Sequence, residues 1–346
     1  MADLGAAATD KKIKELEDRI EAVYGHAAQA MQKKSNEFVQ KFKVKDAMMQ
    51  GKVKDGKITK EEYAAWRAGQ IFQSNEWKAK VSSLTLDMLN AGKTAQKLIN
   101  GEVNGVFAIN ANYVAYQIEK DCYADMGFGL YDAHTVAELL KSDKQLLPKK
   151  KLDDGKELEW DKKKLTQAVT QGIIRGENLD QIAKRMVSFC GMNEKFAKIN
   201  AKTAMTAAQN AGRIQTLRDA EKLGIKAKKV WIATLDDRTR PEHRILDGKM
   251  VPQNQPFRGM IAGKKFDIRY PGDPTADPHL TYSCRCTLGY ELEDSPSKNA
   301  SRYDNITGQR IKDMSYKEWA KYKQKKGAVP PFVAAKQSDA KIVLSP

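Results

Sequence analysis

The sequence predicts an α+β protein, with a mostly α-helical N-terminal domain followed by a C-terminal module of helices and a small β-sheet. Up to residue 223, apolar residues recur every three or four positions, which is the spacing of amphipathic helices. An apolar run at 230–233 then indicates a strand, and Gly, Pro and Asp are frequent from there to residue 292. The charged connector 148–164 separates the two parts. The predicted domains are 1–155, 156–292, and a C-terminal extension, 293–346, with one short helix after Ser315.

Local signals place the helices of the N-terminal domain. From Asp10 to about Val44 the apolar positions form a narrow stripe. This stripe predicts a helix that packs within its own domain, with an oligomerisation helix as the alternative. Thr59 and Glu62 have the spacing of a capping box, in which each side chain accepts a hydrogen bond from the other residue's backbone N–H. In the connector, Asp154-Gly155 is expected to turn a short hairpin.

Helix signals and turn signals also organise the second half. Asn178 and Gln181 predict a helix start, and the long regular pattern 193–223 predicts a helix that Gly224 ends. The helices of the module therefore span 165–223, and its β-rich motif spans 230–292. Within the motif, Asp247-Gly248 lies between apolar dipeptides and predicts a β-hairpin. A closing strand is expected through 284–286.

The charge balance favours some classes of protein and excludes others. The 346 residues include 60 Lys and Arg against 44 Asp and Glu, a net charge of +16. Such an excess favours polyanions through counterion release, whereas a solvated basic surface is the alternative. The sequence lacks the signatures of helix-turn-helix, zinc-finger and RNA-recognition domains, so any DNA contact is expected to be non-specific. Membrane spans and a signal peptide are not expected, which predicts a protein made and used in a cytoplasm or packed into a particle assembled there.

Two His and two Cys of the β-rich motif form a candidate metal site. His243, His279, Cys284 and Cys286 offer two imidazoles and two thiolates, which are ligands that tetrahedral zinc takes. If 284–286 is a strand, both sulfurs point to one face. The alternative is a metal-free network, in which His243 bonds an acidic turn and the two Cys pack as small apolar side chains. Both hypotheses stay open, and structural zinc is the one candidate cofactor.

The acidic turn at Asp236-Asp237 allows a catalytic and a structural interpretation. An Asp pair beside Arg residues and His243 has components of a metal-dependent nucleic-acid enzyme. The sequence lacks the His-containing dyad and downstream Asn of a ββα-metal nuclease, and it lacks a Gly-rich phosphate loop. The structural interpretation is preferred, with an Asp of the turn accepting paired hydrogen bonds from Arg238 or Arg240. No residue is assigned a catalytic role, and the residues assigned structural roles are Trp231, Asp236, Asp237, Arg238, Arg240, Asp247, Gly248 and Arg285.

The order of the motifs resembles a known family. The words W-x-A-x-x-D-D-R-T-R-x-x-H, L-D-G-K, P-F, P-G-D and C-R-C follow one another between residues 231 and 286. They resemble the C-terminal domain of phage Mu protein F-like minor head proteins, also called phage head morphogenesis proteins. The resemblance covers roughly 165–292. Over the first half it is weaker, and there GKITKEEYAAWRAGQ is similar to members from phages and prophages of Gram-positive bacteria.

This resemblance implies a function and a set of partners. It implies a non-enzymatic minor capsid protein of a tailed phage or prophage, which associates with the portal protein during head assembly. Major capsid or scaffolding protein and packaged double-stranded DNA are the further implied partners. The implied location is the interior of the phage head, and the cytoplasm of the host bacterium during assembly. The alternative function is a metal-dependent nucleic-acid enzyme that uses His243 and the Asp236-Asp237 turn. Some members carry toxin domains after the module, and the short extension here predicts none.

Overall fold

A computed structural model describes residues 3–72, 75–122, 127–147, 153–175, 177–293, 301–304 and 309–312. Helices make up most of this part of the chain, and small antiparallel sheets lie towards its C-terminal end, which confirms the α+β class. The elements in chain order are α1 (Leu4–Lys54), α2 (Lys60–Phe72), α3 (Asn75–Cys122), α4 (Ala133–Ser142), α5 (Asp154–Ile174), α6 (Leu179–Lys222), β1 (Ala227–Ile232), α7 (Pro241–Leu246), β2 (Met250–Pro252), β3 (Phe257–Ile261), β4 (Lys264–Ile268), α8 (Pro278–Thr281), β5 (Thr287–Leu292), β6 (Ser301–Asp304) and β7 (Gln309–Lys312).

The chain folds into two compact units, and each unit is discontinuous in sequence. The sheet unit comprises the described residues of Met1–Glu15, Ile99–Lys149 and Ile199–Pro346. The helical unit comprises those of Leu16–Leu98 and Lys150–Lys198. The residues of α1, α3 and α6 are therefore divided between the two units. The two units are defined by which residues lie close together in space. The predicted domains are defined by which segments fold independently, and the two units do not test this, so the domain bounds remain a prediction.

Apolar side chains from four helices form the core of the helical unit. They include Leu16, Ile20 and Met31 of α1, Leu84 and Met88 of α3, Leu165 and Val169 of α5, and Met186 and Cys190 of α6. The Cys190 sulfur lies 3.3 Å from the Met88 sulfur, and burial raises the pKa of this thiol to about 12. Cys190 therefore behaves as a small apolar side chain.

Two helix starts in the helical unit confirm the sequence prediction. The Thr59 backbone N–H donates to Glu62 Oε2 at 2.8 Å, and the Glu62 backbone N–H donates to Thr59 Oγ1 at 3.1 Å. The same reciprocal pair joins Asn178 and Gln181, at 2.8 and 2.9 Å, immediately before α6. Each pair satisfies backbone N–H groups that the first turn of a helix leaves without a partner.

Three predicted boundaries are wrong, and each real element is longer and more helical than expected. Residue Asp154 begins α5 rather than a hairpin, because the Asp153 side chain accepts from the Lys156 backbone N–H at 3.2 Å and starts the helix. One helix, α6, replaces the two predicted around Cys190 and over 193–223. Helix α1 extends beyond the predicted 10–44 at both ends. The short helix predicted after Ser315 lies outside the described residues.

The sheet unit contains a three-stranded antiparallel sheet in the order β2-β1-β5. In this sheet Val230 of β1 lies opposite Met250 of β2 and Gly289 of β5. A separate hairpin pairs β3 with β4, and β6 pairs with β7. The buried aromatic side chains of this unit include Trp231, Phe257 and Tyr270, and the Trp231 and Phe257 rings pack edge-to-face. The predicted strand 230–233 is confirmed as β1, which begins three residues earlier.

The C-terminal end of α6 leads directly into the sheet, as predicted. Gly224 has φ +82°, its N–H donates to Glu221 O at 3.0 Å, and the Ile225 N–H donates to Ala220 O at 2.9 Å. These two bonds form a Schellman motif, which requires a left-handed residue that glycine supplies at low cost. None of the helices in the described part of the chain is long and apolar enough to cross a membrane.

The buried side chain of Arg213 connects Asp3, α3 and β5 within the sheet unit. Arg213 of α6 is 3% exposed, and it donates to both carboxylate oxygens of Asp3 at 2.7 and 2.8 Å. It also donates to Asn110 Oδ1 of α3 at 3.0 Å and to Leu288 O of β5 at 3.2 Å. Burial opposes ionisation of Asp3, but the hydrogen bonds and charge of Arg213 hold the pKa of that carboxyl below its usual range. The pair therefore exists as a satisfied ion pair.

Candidate metal centre

Three of the four predicted ligands lie together in the sheet unit. His243 belongs to α7, whereas Cys284 and Cys286 lie in the irregular segment between α8 and β5. One ligand atom from each residue lies within 4.8 Å of the other two. His243 Nδ1 is 3.3 Å from Cys286 Sγ and 3.8 Å from Cys284 Sγ. Each of the three residues is 2% exposed, so bulk water does not reach the cluster.

A backbone carbonyl fixes the tautomer of His243. His243 Nε2 lies 2.9 Å from Leu280 O. Because a carbonyl oxygen only accepts, Nε2 carries the proton, and in the neutral ring Nδ1 presents its lone pair to the two sulfurs. The Trp231 ring packs edge-on against the imidazole, with ring centroids 5.2 Å apart. Helix α7 has Pro241 in its first turn, and this short helix together with Trp231 holds the imidazole against the sulfurs.

The fourth predicted ligand, His279, lies at the surface. Its side chain is 57% exposed, and its Nδ1 is 2.8 Å from Asp277 Oδ1. Asp277 is the N-cap of α8, and its carboxylate also accepts from the His279 backbone N–H at 3.1 Å. The structure therefore brings together His243, Cys284 and Cys286, and places the His279 imidazole with the helix cap.

The prediction of a strand through 284–286 is wrong, because β5 begins at Thr287. Side chains of α6 bind the backbone of this segment in place of a neighbouring strand. Thr206 Oγ1 donates to Cys284 O at 2.9 Å, and Asn210 Nδ2 donates to Cys286 O at 3.2 Å. Asn210 Oδ1 also accepts from the Leu288 backbone N–H at 2.7 Å. Helix α6 thus positions both Cys residues through their carbonyl groups.

The positioning roles of Thr206 and Asn210 were not predicted from the sequence. Thr206 and Asn210 are one helical turn apart in α6 and are 5% and 0% exposed. The available signal was a polar face inside an otherwise apolar helical stripe, where Thr203, Thr206, Asn210 and Arg213 follow each other at intervals of three and four. Polar residues at such spacing are buried only when they have partners, and the partners of Thr206 and Asn210 here are backbone groups.

Arg285, between the two Cys residues, makes a paired interaction with Asp236. One Nη donates to Asp236 Oδ1 at 2.8 Å, and the other donates to Asp236 Oδ2. Asp236 Oδ1 also accepts from the Arg238 backbone N–H at 3.1 Å and from Thr239 Oγ1 at 3.2 Å. Burial opposes ionisation, but the hydrogen bonds and charge of Arg285 hold the pKa of Asp236 below its usual range. The acidic turn is therefore capped by its own carboxylate and tied to the Cys segment.

The other Arg residues of the motif have different partners from those expected. The paired donor to Asp236 is Arg285, where the sequence suggested Arg238 or Arg240. The Arg238 guanidinium is 76% exposed and lies 3.5 Å from Asp236 Oδ2. Arg240 donates to Tyr282 O. Asp237 accepts through its backbone carbonyl, from Arg244 Nη2 at 2.9 Å.

The hairpin predicted at Asp247-Gly248 is wrong, because Ile245 and Leu246 belong to α7. The pair instead connects α7 to β2. Asp247 Oδ1 accepts from the Ala233 backbone N–H at 2.7 Å, and Gly248, with φ +75°, donates its N–H to Trp231 O at 2.8 Å. The Asp-Gly pair therefore binds the end of β1 and makes a turn that a residue with a side chain adopts less readily.

The two thiols influence each other. The hydrogen bond with Cys286 lowers the pKa of Cys284, whereas burial and the neighbouring Cys284 raise the pKa of Cys286. In this closed pocket the loss of one proton therefore opposes the loss of the second.

Comparison with known proteins places this site inside a family domain. Residues 163–289, which include all three clustered ligands, match the family described as phage Mu protein F like protein. Over 319 residues the chain is 25% identical to minor head protein GP7 of Bacillus phage SPP1, an alignment that covers 91% of this chain and 95% of GP7. Residues 163–289 are therefore similar to the domain that defines the phage Mu protein F-like family.

A second relative shares a shorter segment. The NAD(+)--arginine ADP-ribosyltransferase EFV of Enterococcus faecalis is 31% identical over 163 residues. That alignment covers 45% of this chain and 30% of the transferase. No solved structure matches the chain.

Proposed function

We propose that this chain is a minor head protein of a tailed phage or prophage, which acts in head assembly without catalysing a reaction. The observation that carries this proposal is the alignment with GP7 of phage SPP1, which covers 91% of this chain and 95% of that minor head protein. Because the alignment spans nearly the full length of both proteins, it includes the helices of the N-terminal half as well as the family domain.

The proposed partners follow from a place in the head. The portal protein is the first, and major capsid or scaffolding protein and double-stranded DNA are the others. The proposed location is the head interior of the virion, after assembly in the cytoplasm of the host bacterium. A net charge of +16 supports proximity to packaged DNA, because a basic surface releases counterions from the phosphates that it meets. Such binding is independent of sequence and weakens steeply as salt rises.

The geometry of the acidic turn supports a non-enzymatic role over the metal-dependent nucleic-acid enzyme. Asp236 is 5% exposed, and both of its carboxylate oxygens are bonded to Arg285. Both ring nitrogens of His243 face protein atoms, and the residue is 2% exposed. A substrate phosphate would have to displace these contacts before it reached either side chain. The similarity to the ADP-ribosyltransferase covers 30% of that protein, so it gives no support to transferase activity here.

Mass spectrometry of purified particles tests the proposed location. We expect the polypeptide in mature virions and in heads assembled without DNA, at a copy number far below that of the major capsid protein. A co-purification from cells that express the chain with the portal protein tests the proposed contact. Virions that assemble and infect normally without this polypeptide would overturn the proposal.

A nuclease assay tests the alternative function directly. We expect no cleavage when the purified chain is incubated with supercoiled plasmid and Mg²⁺, Mn²⁺ or Zn²⁺. Cleavage that persists through purification and disappears in His243→Ala, while His279→Ala retains it, would replace the head-assembly proposal with the enzymatic one. His279→Ala is the matched control because it removes an imidazole from the same module outside the cluster.

A further inference from the structure

We propose that His243, Cys284 and Cys286 bind one zinc-class divalent cation in a closed, structural site. The ligands are His243 Nδ1 and the two sulfurs. This inference is independent of the proposed function, because it rests on the positions of three side chains and would hold whatever the family domain contacts in a phage head.

The distances fit a tetrahedral cation. Zinc bonds of about 2.3 Å to sulfur and about 2.0 Å to nitrogen, at tetrahedral angles, place a nitrogen and a sulfur ligand about 3.5 Å apart. In the structure, His243 Nδ1 lies 3.3 Å from one sulfur and 3.8 Å from the other, so the two distances lie on either side of that value. Shifts of a few tenths of an ångström, which side-chain rotations supply, therefore admit the ion.

The surroundings of His243 are those of a metal ligand. An imidazole that binds a metal typically donates its second N–H to a carbonyl or carboxylate, which fixes the tautomer and makes the free nitrogen more basic. Here the donation goes to Leu280 O at 2.9 Å. The carbonyls of Cys284 and Cys286 are likewise bound, by Thr206 at 2.9 Å and Asn210 at 3.2 Å. The ligands are therefore oriented by groups that do not themselves bind the ion.

The charges of the site balance when the ion is present. Two thiolates and a neutral imidazole around a divalent cation carry no net charge, which removes the main cost of burying them. One guanidinium that acts on Cys284, that of Arg285, is already paired with Asp236. Arg240 is the other cation that acts on Cys284, and it donates to Tyr282 O. The ion therefore adds no uncompensated charge to the interior.

Burial assigns a structural role rather than a catalytic one. Two Cys and one His with water as the fourth ligand also occur in catalytic zinc sites, which keep that position open to substrate. Each of the three residues here is 2% exposed, so a substrate cannot reach the ion while the module is folded. The bound ion would join α7 to the segment before β5, two parts of the module that are far apart in sequence. A water molecule completes the coordination, because the His279 imidazole is bound to Asp277.

Cobalt titration of the full chain tests this site. The probe is Co²⁺ alone, added to protein that has been reduced and stripped of metal with a chelator. We expect thiolate-to-cobalt charge-transfer absorption and the intense visible bands of tetrahedral Co²⁺, which saturate at about one ion per chain. Stoichiometric Zn²⁺ should abolish both. Wild-type protein that shows neither band would overturn the proposal without recourse to any variant.

Matched variants identify the ligands. The double variant Cys284→Ser with Cys286→Ser, and the single variant His243→Ala, should lose the tetrahedral spectrum. Cys122→Ser and His279→Ala change the same residue types outside the cluster and should keep it. If Co²⁺ binds with an unchanged spectrum in the double variant, the ion lies elsewhere and the proposal fails.

Thermal unfolding separates loss of the ligands from loss of the fold. Excess Zn²⁺ should raise the Tm of the wild type and of Cys122→Ser, and a chelator should reverse the rise. The double Ser variant should show no such response, at whatever Tm it unfolds. A wild-type Tm that is indifferent to Zn²⁺ would contradict a site that joins two parts of the folded module.

Discussion

The ion pair between Asp236 and Arg285 gives the most specific test of how the module holds its Cys segment. Asp236 lies in the turn after β1, whereas Arg285 lies between the two Cys residues. The Asp236 side chain is 7% exposed and the Arg285 side chain is 36% exposed. Substitution Asp236→Ala removes the paired acceptor for the guanidinium and also the acceptor for the Arg238 backbone N–H and the Thr239 hydroxyl.

The magnitude follows from how much water reaches the group that is left behind. Removing one partner of a fully buried ion pair costs about 3–5 kcal/mol, because the other charge remains without compensation. Since the Arg285 guanidinium is partly exposed, solvent recovers some of that cost, and we expect Asp236→Ala to lower the free energy of unfolding by about 2–3 kcal/mol. Asp236→Asn keeps an oxygen acceptor for the turn and loses the charge, so we expect a loss of about 1–2 kcal/mol.

Urea unfolding of the full chain measures these differences. The midpoint should fall in the order wild type, Asp236→Asn, Asp236→Ala, with an unchanged slope against urea. Asp237→Asn is the matched control, because the bond at this position uses the backbone carbonyl, and it should change the free energy of unfolding by less than about 0.5 kcal/mol. Equal midpoints for Asp236→Ala and Asp237→Asn would refute the argument that this ion pair holds the Cys segment in place.

Three further predictions concern the core of the sheet unit. Arg213→Met should lower the free energy of unfolding by about 2–4 kcal/mol in urea titrations, because it leaves the buried Asn110 acceptor and the Asp3 carboxylate, whose side chain is 37% exposed, without this donor. Burial opposes ionisation of Asp273, but the hydrogen bonds from Arg269 and Thr275 hold its pKa below the usual range. The stabilisation from Asp273 is therefore present above about pH 4 and is lost as the pH falls through the folded value, so Asp273→Asn should flatten the acid side of a plot of Tm against pH. Gly212→Ala should lower the free energy of unfolding, measured in urea, by about 1–3 kcal/mol, because the added Cβ would lie 2.3 Å from a backbone oxygen of α3. Gly105→Ala should instead raise it by up to about 1 kcal/mol, because the added Cβ has nothing within 4 Å.

Each of these three has a contradicting outcome. If Arg213→Met unfolds at the wild-type urea midpoint, the free energy lost in desolvating the Arg213 charge equals the free energy gained from its hydrogen bonds and ion pair. A plot of Tm against pH that keeps its shape in Asp273→Asn would place the acid transition on other carboxylates. Equal effects of Gly212→Ala and Gly105→Ala would mean that α3 and α6 are not in the close contact that the structure shows.

Local signals in the sequence were sufficient for the elements whose ends depend on neighbouring residues. The capping residues Thr59 and Asn178 and the terminating Gly224 act on backbone groups within one helical turn. Their roles could therefore be predicted from spacing alone. The α+β class followed in the same way, from the change between helical and extended patterns near residue 225.

Two of the failed predictions share a cause, which is that a tertiary contact decided between two local options, whereas Asp154 begins a helix because of the local cap at Asp153. Asp247-Gly248 has the composition of a hairpin turn, yet Asp247 binds the end of β1 and the preceding dipeptide becomes helical. The Cys-x-Cys spacing suggested a strand, yet the carbonyls of 284 and 286 are bound by α6 rather than by a neighbouring strand. Residues nearly eighty positions apart in the sequence make those contacts, and no pattern within a short window contains them.

The position of the candidate ligands and the stability of the module depend on some of the same contacts. Strands β1 to β5 account for fewer than half of the residues between 227 and 292, so most backbone groups of this segment lie outside the ladders. Buried backbone groups need partners, and here polar side chains supply them: Thr206 and Asn210 from α6, and Asp247 and His243 from the module itself. A substitution at Thr206 or Asn210 therefore releases the carbonyl of a Cys residue and should move a ligand at the same time. For this reason the Co²⁺ spectrum of an Asn210→Ala variant should weaken, even though Asn210 is not a ligand. The change in the free energy of unfolding of the same variant then shows how far metal binding and stability are coupled. An Asn210→Ala protein that is destabilised but retains the full wild-type spectrum and affinity would separate them.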